Sequence, residues 1–167
     1  MRMQNKKGFT LIELLIVIAI IGILSSIAVV SVGNVRRFAR DSKRLADIRQ
    51  IQTALEMYFN ENNAYPLGTA IDTDLVLGSD ATKALCNSGA PGYRGFDTQQ
   101  NCGGVTMYLA TVPANPVPGG ANYVYKPANA DVGNNNRPRT FTLTFSLEGV
   151  IAGYGAGVHE LSQLGIK

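Results

Sequence analysis

Lys6-Lys7-Gly8-Phe9-Thr10-Leu11-Ile12-Glu13-Leu14-Leu15 opens an apolar run that continues to Val32 and decides how the rest of the chain is read. From Phe9 to Val32 the run is 24 residues long. As a helix it would span roughly 36 Å, enough to cross a hydrocarbon core of about 30 Å. Glu13 is its only charge. An acid inside a membrane span is costly and is treated as functional unless shown otherwise. A secretory signal would have a shorter apolar core and a small-residue cleavage site. Ser25-Ser26-Ile27-Ala28 imitates such a site only weakly, and a charged helical pattern follows without a break. The run therefore reads as a retained anchor.

Residues 6–32 closely resemble the class III signal of type IV pilins and type II secretion pseudopilins: paired lysines, a glycine, an aromatic, and an acid five residues past the glycine. The resemblance implies a leader over residues 1–8. A prepilin peptidase would cut it between Gly8 and Phe9, and Phe9 would then be N-methylated. It also implies that Glu13 meets the amine of a neighbouring subunit during assembly. Physical chemistry supports that role. Cleavage would leave an ammonium at Phe9, and Glu13 lies four residues on, over the same helix face and near the electropositive helix end. The alternative is a Glu13 solvated at headgroup depth, with no partner. Many family members carry a proline late in the apolar run, where this chain has Val30.

Charge adds little about partners. The chain has 15 basic and 12 acidic residues, and loss of Arg2, Lys6 and Lys7 with the leader leaves 12 of each. Arg36, Arg37, Arg40, Lys43, Arg44 and Arg49 outweigh Asp41 and Asp47 just past the span. They read as a solvated helix face or an ion-pairing stripe. Nucleic acid is not supported, since no aromatic platform is interleaved with them. Basic residues flank the span on both sides, so orientation rests on the resemblance: leader in the cytoplasm, head outside. In an oxidising compartment Cys86 and Cys102 would pair and close a loop of 15 intervening residues, stabilising by about 3 kcal/mol. The alternative is two separate buried thiols.

The fold class expected is α+β, with a long N-terminal helix on a small antiparallel head. Leu45, Ile48, Ile51, Leu55, Tyr58 and Phe59 recur at spacings of three and four, with Arg44, Asp47, Arg49, Gln50 and Glu56 opposite. Arg37 with Asp41 and Lys43 with Asp47 are candidate i,i+4 pairs. Asn60-Glu61-Asn62-Asn63 dilutes the pattern and Tyr65-Pro66 ends it. Residues 9–61 thus predict one helix of roughly 80 Å: a membrane or filament-core half over 9–32, and an amphipathic continuation over 33–63. The head, 64–167, holds 15 of 18 glycines and all seven prolines. Residues 67–104 read as a stapled loop with a short helix around Asp80–Leu85. Tyr108–Pro118 resembles the proline-bearing segment before the sheet in pseudopilin-like heads. A sheet follows within 122–165: a strand at Asn122–Lys126, a long hairpin loop at Asp131–Arg137, a strand at Arg139–Glu148, and a short edge strand near Val158–Leu161. Phe141, Leu143, Phe145 and Leu147 alternate with Thr140, Thr142, Thr144 and Ser146, which predicts one buried face.

Nothing in the pattern supports catalysis. The single histidine, His159, reads as a surface residue in a Gly-rich tail, and no phosphate-binding loop follows a strand. No cofactor or metal is expected. Calcium, bound by some pseudopilins through an acidic loop, is not carried over, because the tail has only Glu148 and Glu160. The resemblance implies a homopolymeric filament subunit that waits as a single-pass protein in the inner membrane. An assembly platform with its ATPase would extract it into a surface pilus. The alternatives are a periplasmic type II secretion pseudopilin and a membrane-anchored binding module that never polymerises.

Overall fold

The computed structural model describes residues 8–68, 70, 72–87, 95–130 and 137–167. The chain separates into two compact units, Met1–Arg37 and Phe38–Lys167. A single helix, α1 (Leu11–Asn62), contributes to both. Among the described residues the strands are β1 (Leu75–Val76), β2 (Ala84–Cys86), β3 (Phe96–Asp97), β4 (Met107–Leu109), β5 (Val124–Ala130), β6 (Pro138–Leu147), β7 (Gly157–Ser162) and β8 (Gly165–Ile166). They form two antiparallel sheets, ordered β1-β5-β6-β7-β8 and β3-β2-β4. This is an α+β, pilin-like layout, as the sequence predicts.

In the second unit the helical period does what it implies. Leu45, Ile48, Ile51, Ala54, Leu55 and Tyr58 are buried, in one core with Tyr123, Tyr125, Phe141, Leu143, Phe145, Leu147 and Leu161. Each fully buried aliphatic or aromatic side chain contributes about 1.5–3 kcal/mol. Ring contacts tie the layers together: Tyr65 to Phe141 at 4.8 Å and Phe96 to Tyr125 at 5.0 Å. The helix stops where Asn63 turns left-handed, at φ 53°, a conformation asparagine tolerates better than most residues. The Asn63 N–H closes on the Phe59 carbonyl at 2.7 Å.

Residues 67–104 depart from expectation. Among the described residues one 3-10 turn forms, Asp80–Thr82, and the chain then enters β2, whose three residues are all buried. Leu85 joins the main core, and β2 lies between β3 and β4, so packing overrides local helix preference. Strands of two or three residues have no period to read. Cys86 and Cys102 are disulfide-bonded, with Cα atoms 5.7 Å apart, and both are buried. β5 also runs further than predicted, through Pro127. The Pro127 carbonyl accepts from the Asp72 N–H at 2.8 Å. Because N–H and C=O of one residue point to the same side of a strand, the missing donor faces that loop and costs β6 no ladder bond. β7 is not the edge strand expected, since β8 pairs outside it. The loop expected at Asp131–Arg137 lies outside the described residues except for Arg137.

The largest correction concerns the basic segment. Arg44 is not on a solvated face; it is fully buried, and Asp41 and Asp47 are buried with it. All five guanidinium N–H donors of Arg44 are used. Nε donates to Asn115 Oδ1 (2.7 Å), Nη1 to Asp41 Oδ1 (2.6 Å) and Glu148 Oε1 (2.7 Å), and Nη2 to the carbonyls of Pro116 (3.0 Å) and Gly119. Arg40 forks onto Glu148 at 2.7 and 2.5 Å. Asp41 also accepts the backbone N–H groups of Glu148 and Gly149, at 3.0 and 2.9 Å. Two cations and two anions thus cancel. Asp41 pairs with Arg44 rather than Arg37, which bonds Asn34. Gly120, at φ 82°, lets the loop close: a Cβ there would sit 2.9 Å from Ser146 Oγ and 3.3 Å from Arg44 Nη2.

Two carboxylates here titrate in opposite directions. The Arg40 guanidinium, with Arg44 behind it, pulls Glu148 down from 4.5 to about 2. Burial pushes Asp47 up, partly offset by the hydrogen bond from Tyr123 Oη at 3.0 Å. Glu148, lowered in the fold, stabilises above its unfolded value, and that contribution is lost as pH falls from about 4.5 to about 2. Asp47, raised in the fold, loses stability as pH rises through the carboxylate range. Glu148→Gln should therefore lower the stability of the detergent-solubilised chain at pH 7 by about 3 kcal/mol and flatten its acid limb. Asp47→Asn, which keeps an acceptor for Tyr123, should be neutral or stabilising. Urea unfolding followed by near-UV circular dichroism from pH 2 to 7 checks both signs.

Candidate assembly site at the start of the long helix

In the first unit the large apolar side chains from Phe9 to Ile27 stand open. Phe9 is 82% exposed, and even the least exposed large apolar residue between it and Ile27, Val17, is 44% exposed. Contiguous apolar surface of this extent marks a membrane or protein contact. Among the described residues, α1 is the one helix long and apolar enough to cross a membrane.

The helix entry is built by Thr10 and Glu13. Glu13 Oε2 accepts from the Thr10 N–H at 2.8 Å and from its hydroxyl at 2.7 Å. Thr10 Oγ1 in turn accepts from the Glu13 N–H at 3.3 Å. This is a reciprocal capping box, satisfying donors that a helix start leaves orphaned. The signal was present in the sequence as Thr-x-x-Glu ahead of an apolar run, and the reading of Glu13 by charge alone missed it. Among the described residues, Glu13 Oε1 takes no hydrogen bond, so the cap leaves one carboxylate oxygen for a further donor.

Gly8 and Phe9 immediately precede this box. A side chain at Gly8 would meet nothing within 4 Å, so packing does not require glycine there. The paired lysines and the rest of the leader lie outside the described residues. The disulfide pair Cys86 and Cys102 belongs to the second unit and forms a small buried cluster with Ala84. His159 is half-buried rather than free on the surface. Its Nε2 is 2.8 Å from the Gly155 carbonyl, and its ring packs on Phe145 and Tyr154. Among the described residues no three His, Cys, Asp or Glu side chains gather as a metal site.

Removing the cap should loosen the first turn without touching the head. Thr10→Ala is expected to cost about 1 kcal/mol of helix-end stability, seen in micelles as faster amide exchange at residues 11–14. Thr10→Ser should restore protection. Equal exchange in all three proteins would show that the box does not hold the helix start.

Comparison with known proteins agrees with this geometry. The family model described as the prokaryotic N-terminal methylation motif matches residues 3–29. The type IV wide pilus major component PilA4 of Thermus thermophilus is 36% identical over 112 residues, covering 65% of this chain and 84% of that protein. The type II secretion system core protein G of Klebsiella michiganensis is 41% identical over 66 residues, and that of Aeromonas hydrophila 39% over 66, each match covering 40% of this chain. In both, the chain spans only 46% of the relative's length. No solved structure matches. The methylation motif at the helix start, the pilin-like layout behind it and a relative covered over most of its length together show that this chain belongs to the type IV pilin and type II secretion pseudopilin family.

Proposed function

We propose that the chain is a structural subunit of a type IV pilus-like filament, made as a prepilin, cleaved after Gly8 and N-methylated at Phe9. The observation that carries this reading is the open apolar run beginning at Phe9 with one carboxylate in its first turns. Such a run has two uses for its surface: lipid before assembly, and the helices of other copies afterwards. Glu13 keeps Oε2 in the cap, and Oε1 accepts the Phe9 ammonium of a neighbouring subunit. Both charges are then neutralised as they leave the headgroup layer, where an unpaired charge is costly. The work is assembly, not chemistry. Prepilin peptidase and an ATP-driven platform are the partners this implies, with the precursor in the inner membrane and its head outside.

The match to PilA4 extends over 112 residues, whereas the core protein G matches extend over 66, which favours a surface pilus. A short periplasmic pseudopilus is the second reading, favoured by the higher identity of those shorter matches. Two of the six basic residues past the span, Arg40 and Arg44, are committed to Glu148 and Asp41, and no aromatic platform is interleaved with the others, so nucleic-acid contact gains no support.

Shearing cells, pelleting the fibres and taking the intact mass of this chain in fibres and membranes tests the reading. Abundant chain in fibres, beginning at methylated Phe9, is the expected result. Processed chain confined to membranes would favour the pseudopilus. Chain that retains residues 1–8 in both fractions, or Glu13→Ala protein that still forms normal filaments, would overturn the assembly mechanism.

A further inference from the structure

The ion cluster gathers two loops whose tips are apolar and open. Val117 is 86% exposed and Val150 is 77% exposed. Val117 lies one residue from Pro116, whose carbonyl Arg44 binds. Val150 lies one residue from Gly149, whose N–H binds Asp41. Arg44 and Asp41 are themselves 2.6 Å apart, so the two valines are held at one end of the second unit. Phe38, 59% exposed, stands three residues before Asp41 on α1 and shares its face. Two exposed loop valines and one exposed helix phenylalanine are thus each within three residues of a member of the same ion cluster.

We propose that Phe38, Val117 and Val150 form an apolar tip that enters the headgroup layer of the bilayer while the chain waits, unassembled, in the membrane. The inference rests on the reading of residues 9–32 as a membrane anchor. The chain itself supplies the argument for lipid. Phe38 is six residues past Val32, so no arrangement carries it more than about 22 Å from the end of the run. A tethered tip meets its own membrane at high effective concentration. Arg36 and Arg37 precede Phe38 in sequence and Lys43 is exposed, which suits anionic headgroups. Taken alone, three side chains fall short of the ~800 Å² per partner of a stable protein interface. The tip would hold the head against the membrane and be released on extraction.

The chain contains no tryptophan, so single substitutions report cleanly. Val117→Trp, Val150→Trp, Leu164→Trp and Leu24→Trp would each be placed in the full chain. Each protein is reconstituted in phosphatidylethanolamine–phosphatidylglycerol vesicles with plain or brominated acyl chains. Leu164, 86% exposed and beyond the far end of β7, is the head control. The expected result is blue-shifted emission and loss of intensity on brominated lipid at positions 117, 150 and 24, with neither at 164. Quenching at 24 but not at 117 or 150 would overturn the tip and leave the anchor standing. Absence of quenching at 24 would remove the anchor and the proposal with it. Equal quenching at 164 would mean that the head adsorbs without preference, and a blue shift at 117 and 150 without quenching would mean contact with another protein chain. Either result overturns the proposal.

Discussion

The second unit depends on one buried guanidinium. Arg44 has no exposed side-chain surface, and a charge in that position is tolerated only if every donor is satisfied and the charge is balanced. The requirement is met by groups far apart in sequence: Asp41 one turn back, Asn115, Pro116 and Gly119 in one loop, and Glu148 at the end of β6. The five directed hydrogen bonds of Arg44 tie one turn of α1 to the 115–120 loop and to the end of β6, and Gly119 and Gly120 suit a loop that passes that close to Arg44 and Glu148.

The helix start works on the opposite principle. Nothing there is buried, and its order is local: Thr10 and Glu13 satisfy each other's donors within one turn. A carboxylate held by its own helix is preorganised, because its rotamer is set before any second donor arrives. One carboxylate oxygen, Oε2, closes the helix end, and Oε1 takes no hydrogen bond among the described residues. In a medium that penalises unpaired polar groups, this arrangement limits the cost of carrying an acid into the apolar run.

Between these two devices, the disulfide and the β3-β2-β4 sheet show how a region without readable pattern is ordered. β2 lies between two very short strands, with Leu85 in the main core and Cys86 covalently tied to Cys102. None of these strands could hold alone. They exist because a crosslink and a neighbouring core hold them in place. The same logic explains why the helix expected at Asp80–Leu85 shrinks to a single 3-10 turn.

What the sequence determined by itself are the features encoded by short-range period and by motif. The apolar run from Phe9 and its lone acid, the three-and-four spacing from Leu45 to Tyr58, and the alternation from Phe141 to Leu147 all read correctly. In each, the face a side chain takes follows from its position along one helix or strand. The pairing of Cys86 with Cys102 was also legible, as the single way to crosslink two cysteines. Only the tertiary structure decided the partners of the charges. Arg44 lies four and seven residues before Ile48 and Ile51, and Asp47 four and seven before Ile51 and Ala54, so helical spacing puts both on the buried stripe, and only their charge made them read as solvated. Which carboxylate balances Arg44 depends on a residue a hundred positions away, and no local pattern carries that distance.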